Sequence, residues 1–137
     1  MKTQIIHSWG PYSVSYWLTF LVAIGIIFIG VRFLVSPLIA TEGYGIPLKN
    51  NLSTGYAYAK GIRDIYSGII LLVFLGLRKA HTIAILFSIA SIIPAADFCI
   101  ILTSNGVNDI THLLIHGCTT VYMVIVSGML FSVKFNN

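Results

Sequence analysis

Apolar stretches of membrane length recur four times in this chain, at about residues 14–36, 56–77, 80–103 and 110–133. They constrain the fold more than any motif does. A hydrocarbon core about 30 Å thick is crossed by roughly 20 helical residues, and a backbone surrounded by lipid must satisfy its own polar groups, which helices do internally. Composition agrees: the chain is 57% hydrophobic and 9% charged, with a mean hydropathy of +0.92, where a soluble domain carries about a quarter charged residues. The expected fold is all-α, one domain over residues 1–137, a four-transmembrane-helix bundle with antiparallel up-down topology. The first stretch is too long for a signal-peptide core and is followed by no small-x-small cleavage pattern, so it is expected to be retained.

Arg78 and Lys79 alone separate the second and third spans, and Asn105-Gly106 with Asn108 makes a short polar turn before the fourth. The link from Pro37 to Gly55 is longer. Its Leu38, Ile39, Tyr44, Ile46 and Leu48 suggest that it lies on the bundle or at the interface. Lys2, Arg78, Lys79 and Lys134 fall on one side, which the positive-inside tendency makes cytoplasmic, so both termini are expected there. The opposite loops hold Lys49, Glu42 and Asp109, while Arg32, Lys60 and Arg63 sit inside helices. The basic residues are scattered, with no run or basic face. The expected partner is therefore the lipid bilayer and not nucleic acid.

Ionisable residues inside hydrocarbon cost a few kcal/mol each and persist when paired, hydrated or used. Arg63 and Asp64 interrupt the second span, Asp97 sits late in the third, and His112 and His116 open the fourth. At about 1.5 Å per residue, Arg63 lies roughly 22 Å from Arg78, Asp97 roughly 27 Å from Lys79, and His116 roughly 27 Å from Lys134. Arg32 falls in the same outer layer. The outer half therefore reads as a polar pocket and the inner half, rich in Ile, Leu, Val and Phe, as scaffold.

Lys60 and Asp64 are one helical turn apart and can pair. Arg63 is then expected to meet Asp97 on the next helix, and two structural ion pairs holding the hairpin together are the alternative to a ligand site. His112 and His116 share one helix face. Their spacing is compatible with a metal completed by Asp97 or Asp64, but no HExxH-type context accompanies it, and proton transfer is the better-motivated role. Gly25, Gly30, Gly61, Gly68, Gly117 and Gly128 permit close helix contact, and Pro94 is expected to kink the third span beside Asp97. Tyr66 and Arg32, with Lys60, are candidate ligand contacts. Cys99 and Cys118, without CxxC spacing, read as small buried core residues.

Gly61-Ile62-Arg63-Asp64, Ile93-Pro94-Ala95-Ala96-Asp97, the segment His112 to His116 and the step Gly45-Ile46-Pro47 together resemble a family of small four-helix membrane proteins of unknown function. The helix count and polar placement are also similar to DoxX-like proteins, whose named members are quinone-linked oxidoreductase subunits. The first resemblance implies fold and membrane location. The second implies a redox role and transfers no site residue.

The expected function is acid/base chemistry of isomerase, cyclase or hydrolase type on a small lipophilic substrate. His112 or His116 would move a proton, Asp97 and Asp64 would orient it, and Arg63 would stabilise negative charge. The alternative is an accessory or binding subunit of a membrane complex. A homo-oligomer fits either reading, and a proton-coupled transporter would need one to build alternating access. The residues specify no cofactor.

Overall fold

The computed structural model describes residues 9–48 and 54–133; Lys2, Lys49 and Lys134, used above for orientation, lie outside them. The elements are α1 (Val14–Val35), α2 (Pro37–Tyr44), α3 (Thr54–Gly76), α4 (Ala80–Ala90), α5 (Ile92–Asn105) and α6 (Ile110–Phe131). Three helical stretches are long and apolar enough to cross a membrane: α1 with 22 residues, Ala80–Asn105 with 26, and α6 with 22. The 23 residues of α3 are long enough but carry Lys60, Arg63 and Asp64 in their first half.

Local chemistry sets the boundaries. Ser36 leaves helical geometry and Pro37, whose missing N–H costs nothing in a first turn, starts α2. α2 stops at Gly45, at φ +98°. There the Gly45 N–H reaches the Glu42 carbonyl at 3.0 Å and the Ile46 N–H reaches that of Thr41 at 3.1 Å, a left-handed cap. Arg78, at φ +55°, closes α3 in the same way, with the Lys79 N–H on the Phe74 carbonyl. The third apolar stretch divides at Ser91. Pro94 is the cause, because it cannot donate to the Ala90 carbonyl and its ring crowds that group. The interruption therefore lies one turn before Pro94, and the freed carbonyl is that of Ala90, not one beside Asp97.

Packing is closest between α1 and α3, where glycines bring backbone against backbone. A Cβ at Gly30 would stand 2.6 Å from the Gly61 oxygen, and one at Gly68 would stand 2.7 Å from the Ala23 oxygen. Residue numbers fall along α3 as they rise along α1 at these contacts, so the two helices run in opposite directions. α6 lies likewise against α4 and α5, with His81 by Phe131, Ser88 by Ser127 and Asp97 by His116. The expectation of close contact does not extend to every glycine: a Cβ at Gly25 or Gly128 would meet nothing within 4 Å, and Gly117 faces the Phe98 ring at ordinary distance. Cys99 and Cys118 are exposed and not core residues, because both point from the outer sides of α5 and α6.

The main core lies at one end, where Leu71, Leu75, Ile83, Phe87, Val126 and Leu130 are buried. A second, smaller core of Phe33, Ala40 and Ala57 lies beneath α2. Within the larger core, Ser127 donates to the Ala84 carbonyl at 2.8 Å and shares a 2.7 Å bond with Ser88. Ser127→Ala should cost about 2 kcal/mol, two ordinary hydrogen bonds, visible as a lower melting temperature of the purified protein in mild detergent.

Candidate functional site

The polar residues expected in one layer divide into two networks, and the last turn of α2 touches both. Two consecutive residues, Tyr44 and Gly45, sit against two consecutive turns of α6. Tyr44 meets His116 and Gly45 meets His112, so the shared face of the two histidines is real while their partners differ.

The buried network centres on Tyr44. His116 is 7% exposed; its Nε2 lies 3.2 Å from the Tyr44 carbonyl oxygen, and its ring meets the Tyr44 ring edge-on at 5.0 Å. A carbonyl only accepts, so Nε2 carries the proton and donates. The other nitrogen, Nδ1, faces Asp97 Oδ2 at 3.7 Å. That is too long for a hydrogen bond and close enough for an ion pair. The titration of the Tyr44 phenol is pushed far above the ordinary range, first by burial and then by its interaction with Asp97 and by the nearby Asp64. The phenol therefore stays neutral, as a donor.

Lys60 completes the cluster. Its Nζ lies 2.7 Å from Asp64 Oδ2 and 4.9 Å from the ring centres of both Phe33 and Tyr44, a paired cation walled by aromatic faces. Asp64, Lys60, Asp97, His116 and Tyr44 are thus neighbours. α3 contributes the first two because Lys60 and Asp64 fall on one face, one turn apart.

The second network lies at the start of α6. Asp109 accepts from His112 Nδ1 at 2.6 Å and from Asn105 Nδ2 at 2.6 Å, while that same Asn105 group donates to the Gly45 carbonyl at 2.8 Å. Gly45 is required here, because a Cβ would stand 2.9 Å from the His112 ring and φ is positive. Hydrogen bonds from Asn105 and His112 hold the Asp109 carboxyl below its ordinary value of 3.8. A depressed carboxyl contributes stability that is complete above the unfolded value and is lost as pH falls through the folded one. Asp109→Asn should therefore flatten the decline in melting temperature between about pH 5 and pH 2, read by thermal unfolding in detergent.

The structure separates several of the expected site residues. Arg63 does not pair with Asp97. The glycines of α3 fix the face toward α1, and Arg63, two residues beyond Gly61 and so about 200° round the helix, points outward. It is exposed, and its Nε bonds only weakly to the Ala59 carbonyl, at 3.4 Å. Tyr66, 65% exposed, shares that outward side. Arg32 is also exposed and lies beside the last turn of α2, its Nη2 4.0 Å from where a Gly43 Cβ would be, and among the described residues no ion pair joins it. In the outer half Tyr44 lies among Lys60, Phe33 and His116. Two depressions lie elsewhere. One of about 520 Å³ runs along α5 and α6 by Phe98, Leu113, Gly117 and Tyr122, and another of about 490 Å³ lies by Ser36, Pro37, Thr54 and Tyr58. Among the described residues no three His, Cys, Asp or Glu side chains converge as a metal site.

Tyr44 is the residue that sequence reasoning missed. It read as apolar content of the link, and its only local signal is its place before the helix-ending Gly45. A family model, Domain of unknown function (DUF4267), matches residues 23–130. No curated protein and no solved structure matches the chain, and the comparisons bring no support to the likeness to DoxX-like proteins.

Proposed function

The chain belongs to the DUF4267 family, and we propose that it is an integral membrane protein whose Tyr44–Asp97–His116 cluster performs proton transfer on a small lipophilic molecule. In this reading one domain spans the membrane four times as an antiparallel bundle. α3 is the fourth span, its outward Arg63 reaching toward the headgroups, and both termini are cytoplasmic. His116 and Asp97 are the acid/base pair. Lys60, which is at the cluster, takes the charge-stabilising role first given to Arg63, and Asp64 holds Lys60. His112 serves the fold by bonding Asp109 at the start of α6.

The single observation that supports this reading is the approach of Nδ1 to Asp97 with Nε2 already committed to a carbonyl. An imidazole nitrogen facing a carboxyl group is the equipment of a general acid or base. The reaction class stays at isomerase, cyclase or hydrolase type. The test begins with mass spectrometry of molecules that co-purify in mild detergent, followed by an assay of their conversion. A lipophilic small molecule turned over by the parent and not by His116→Gln is the expected result, and equal turnover by both overturns the reading.

The outward side of α3 favours a second reading, an accessory subunit. Arg63, Tyr66 and Ser67 are all exposed, as a helix face that docks a partner chain or a second copy would be. It predicts co-purification of a chain that Arg63→Ala abolishes.

A further inference from the structure

We propose that Tyr44 is a built-in occupant of the site, and that the ligand whose place it holds is a phenolic amphiphile, a hydroxylated ring with an alkyl tail. The proposal rests on the proton-transfer site described above and names its ligand class. Each neighbour of the Tyr44 side chain matches a different part of a phenol. The Asp97 side chain interacts with the hydroxyl. The Lys60 ammonium lies over the ring, 4.9 Å from its centre, where the negative face of an aromatic ring attracts a cation. The His116 and Phe33 rings meet it edge-on at 5.0 and 6.1 Å, the tilted arrangement that aromatic rings prefer.

α2 is built to release that side chain. It is one eight-residue helix between two non-helical joints, Ser36 at φ −138° and Gly45 at φ +98°. The space of about 490 Å³ beside Ser36, Pro37, Thr54 and Tyr58 adjoins the first joint. The helix has anchors other than the phenol: Ala40 and Thr41 are buried, and Asn105 holds the Gly45 carbonyl. Tyr44 can therefore leave without α2 losing its seat. A phenol entering from the bilayer then finds the acceptor, cation and ring edges already assembled, while its tail stays in lipid. The closed form is an autoinhibited state, and ligand shifts the population toward the open one by its preference for it.

The test is titration of the purified protein in mild detergent with 4-heptylphenol, with heptylbenzene as the comparator that lacks the hydroxyl. The parent should bind the phenol saturably and heptylbenzene at least about ten-fold more weakly, since a site built for a hydroxyl strongly rejects its absence. Tyr44→Phe keeps the ring and removes only the interaction of the hydroxyl with Asp97, so it should bind the phenol about five-fold more tightly, the worth of one ordinary polar contact. Asp97→Asn should weaken phenol binding about ten-fold, the worth of a bond to a charged acceptor. Tightening on one side and weakening on the other is not what a purely structural tyrosine gives. Equal binding of the two probes, no binding by the parent, or no tightening in Tyr44→Phe overturns the proposal, with melting temperatures confirming that each variant is folded. If both variants behave as expected while His116→Gln turns substrate over normally, the ligand site stands and proton transfer falls. Lost turnover in His116→Gln with equal binding of both probes gives the reverse.

Discussion

Gly61→Val is expected to destabilise the protein by about 3 kcal/mol, at the upper end of overpacking costs. A Cβ at that position would stand 2.7 Å from the Gly30 oxygen and 3.0 Å from Phe33 Cβ and Leu34 Cδ2. The nearest atom is backbone, which has no rotamer to adopt, so α1 and α3 must separate. Separation also disturbs Phe33, which is buried in the small core under α2, and through it the wall of the Lys60 site. Within lipid there is little hydrophobic drive to restore the contact, because close packing is itself the attraction. Gly128→Ala is the control: its Cβ meets nothing within 4 Å, and the substitution should leave the melting temperature unchanged or slightly raised. Thermal unfolding of the three proteins in one detergent measures the difference. Equal melting of Gly61→Val and the parent would show that the helices do not touch through glycine.

Replacing His116 should remove at least a hundred-fold of the turnover, the lower end of what a general acid or base contributes. Two substitutions separate chemistry from structure. His116→Ala strips the Tyr44 carbonyl of the donor now 3.2 Å away and should also cost about 2 kcal/mol, the penalty for leaving a buried acceptor unmatched. His116→Gln keeps an N–H for that carbonyl but has no nitrogen that exchanges a proton with Asp97. It should fold close to the parent and still be inactive. A folded and fully active His116→Gln would assign the histidine to capping α2, a role its position at that helix's C-terminal carbonyl also fits.

The membrane character was legible because hydropathy is additive along a chain and requires no knowledge of neighbours. The Lys60–Asp64 pair was legible for a related reason, since a helix places residues four apart on one face regardless of what surrounds it. Arg63–Asp97 was not, because pairing across helices depends on which face each helix turns inward. That was set by Gly30, Gly61 and Gly68, whose backbone contacts rotate α3 so that Arg63 faces out. The histidines show the same limit. Their shared face followed from spacing, but the arrival of Tyr44 at one and Gly45 at the other depended on where a link of eighteen or so residues came to rest, and no local period encodes that.

The charges at membrane depth, the positions of the apolar helices and the ends imposed by Pro37, Gly45 and Pro94 were determined by the sequence alone, because burial cost, helix period and backbone geometry act locally. What only the tertiary structure decided is which of those charges meet. Lys60 and not Arg63 stands beside Tyr44, and His116 and not His112 faces Asp97. The physical reason is that glycine contacts set the rotation of α3, and a left-handed cap on α2 aims one tyrosine into the gap between four helices.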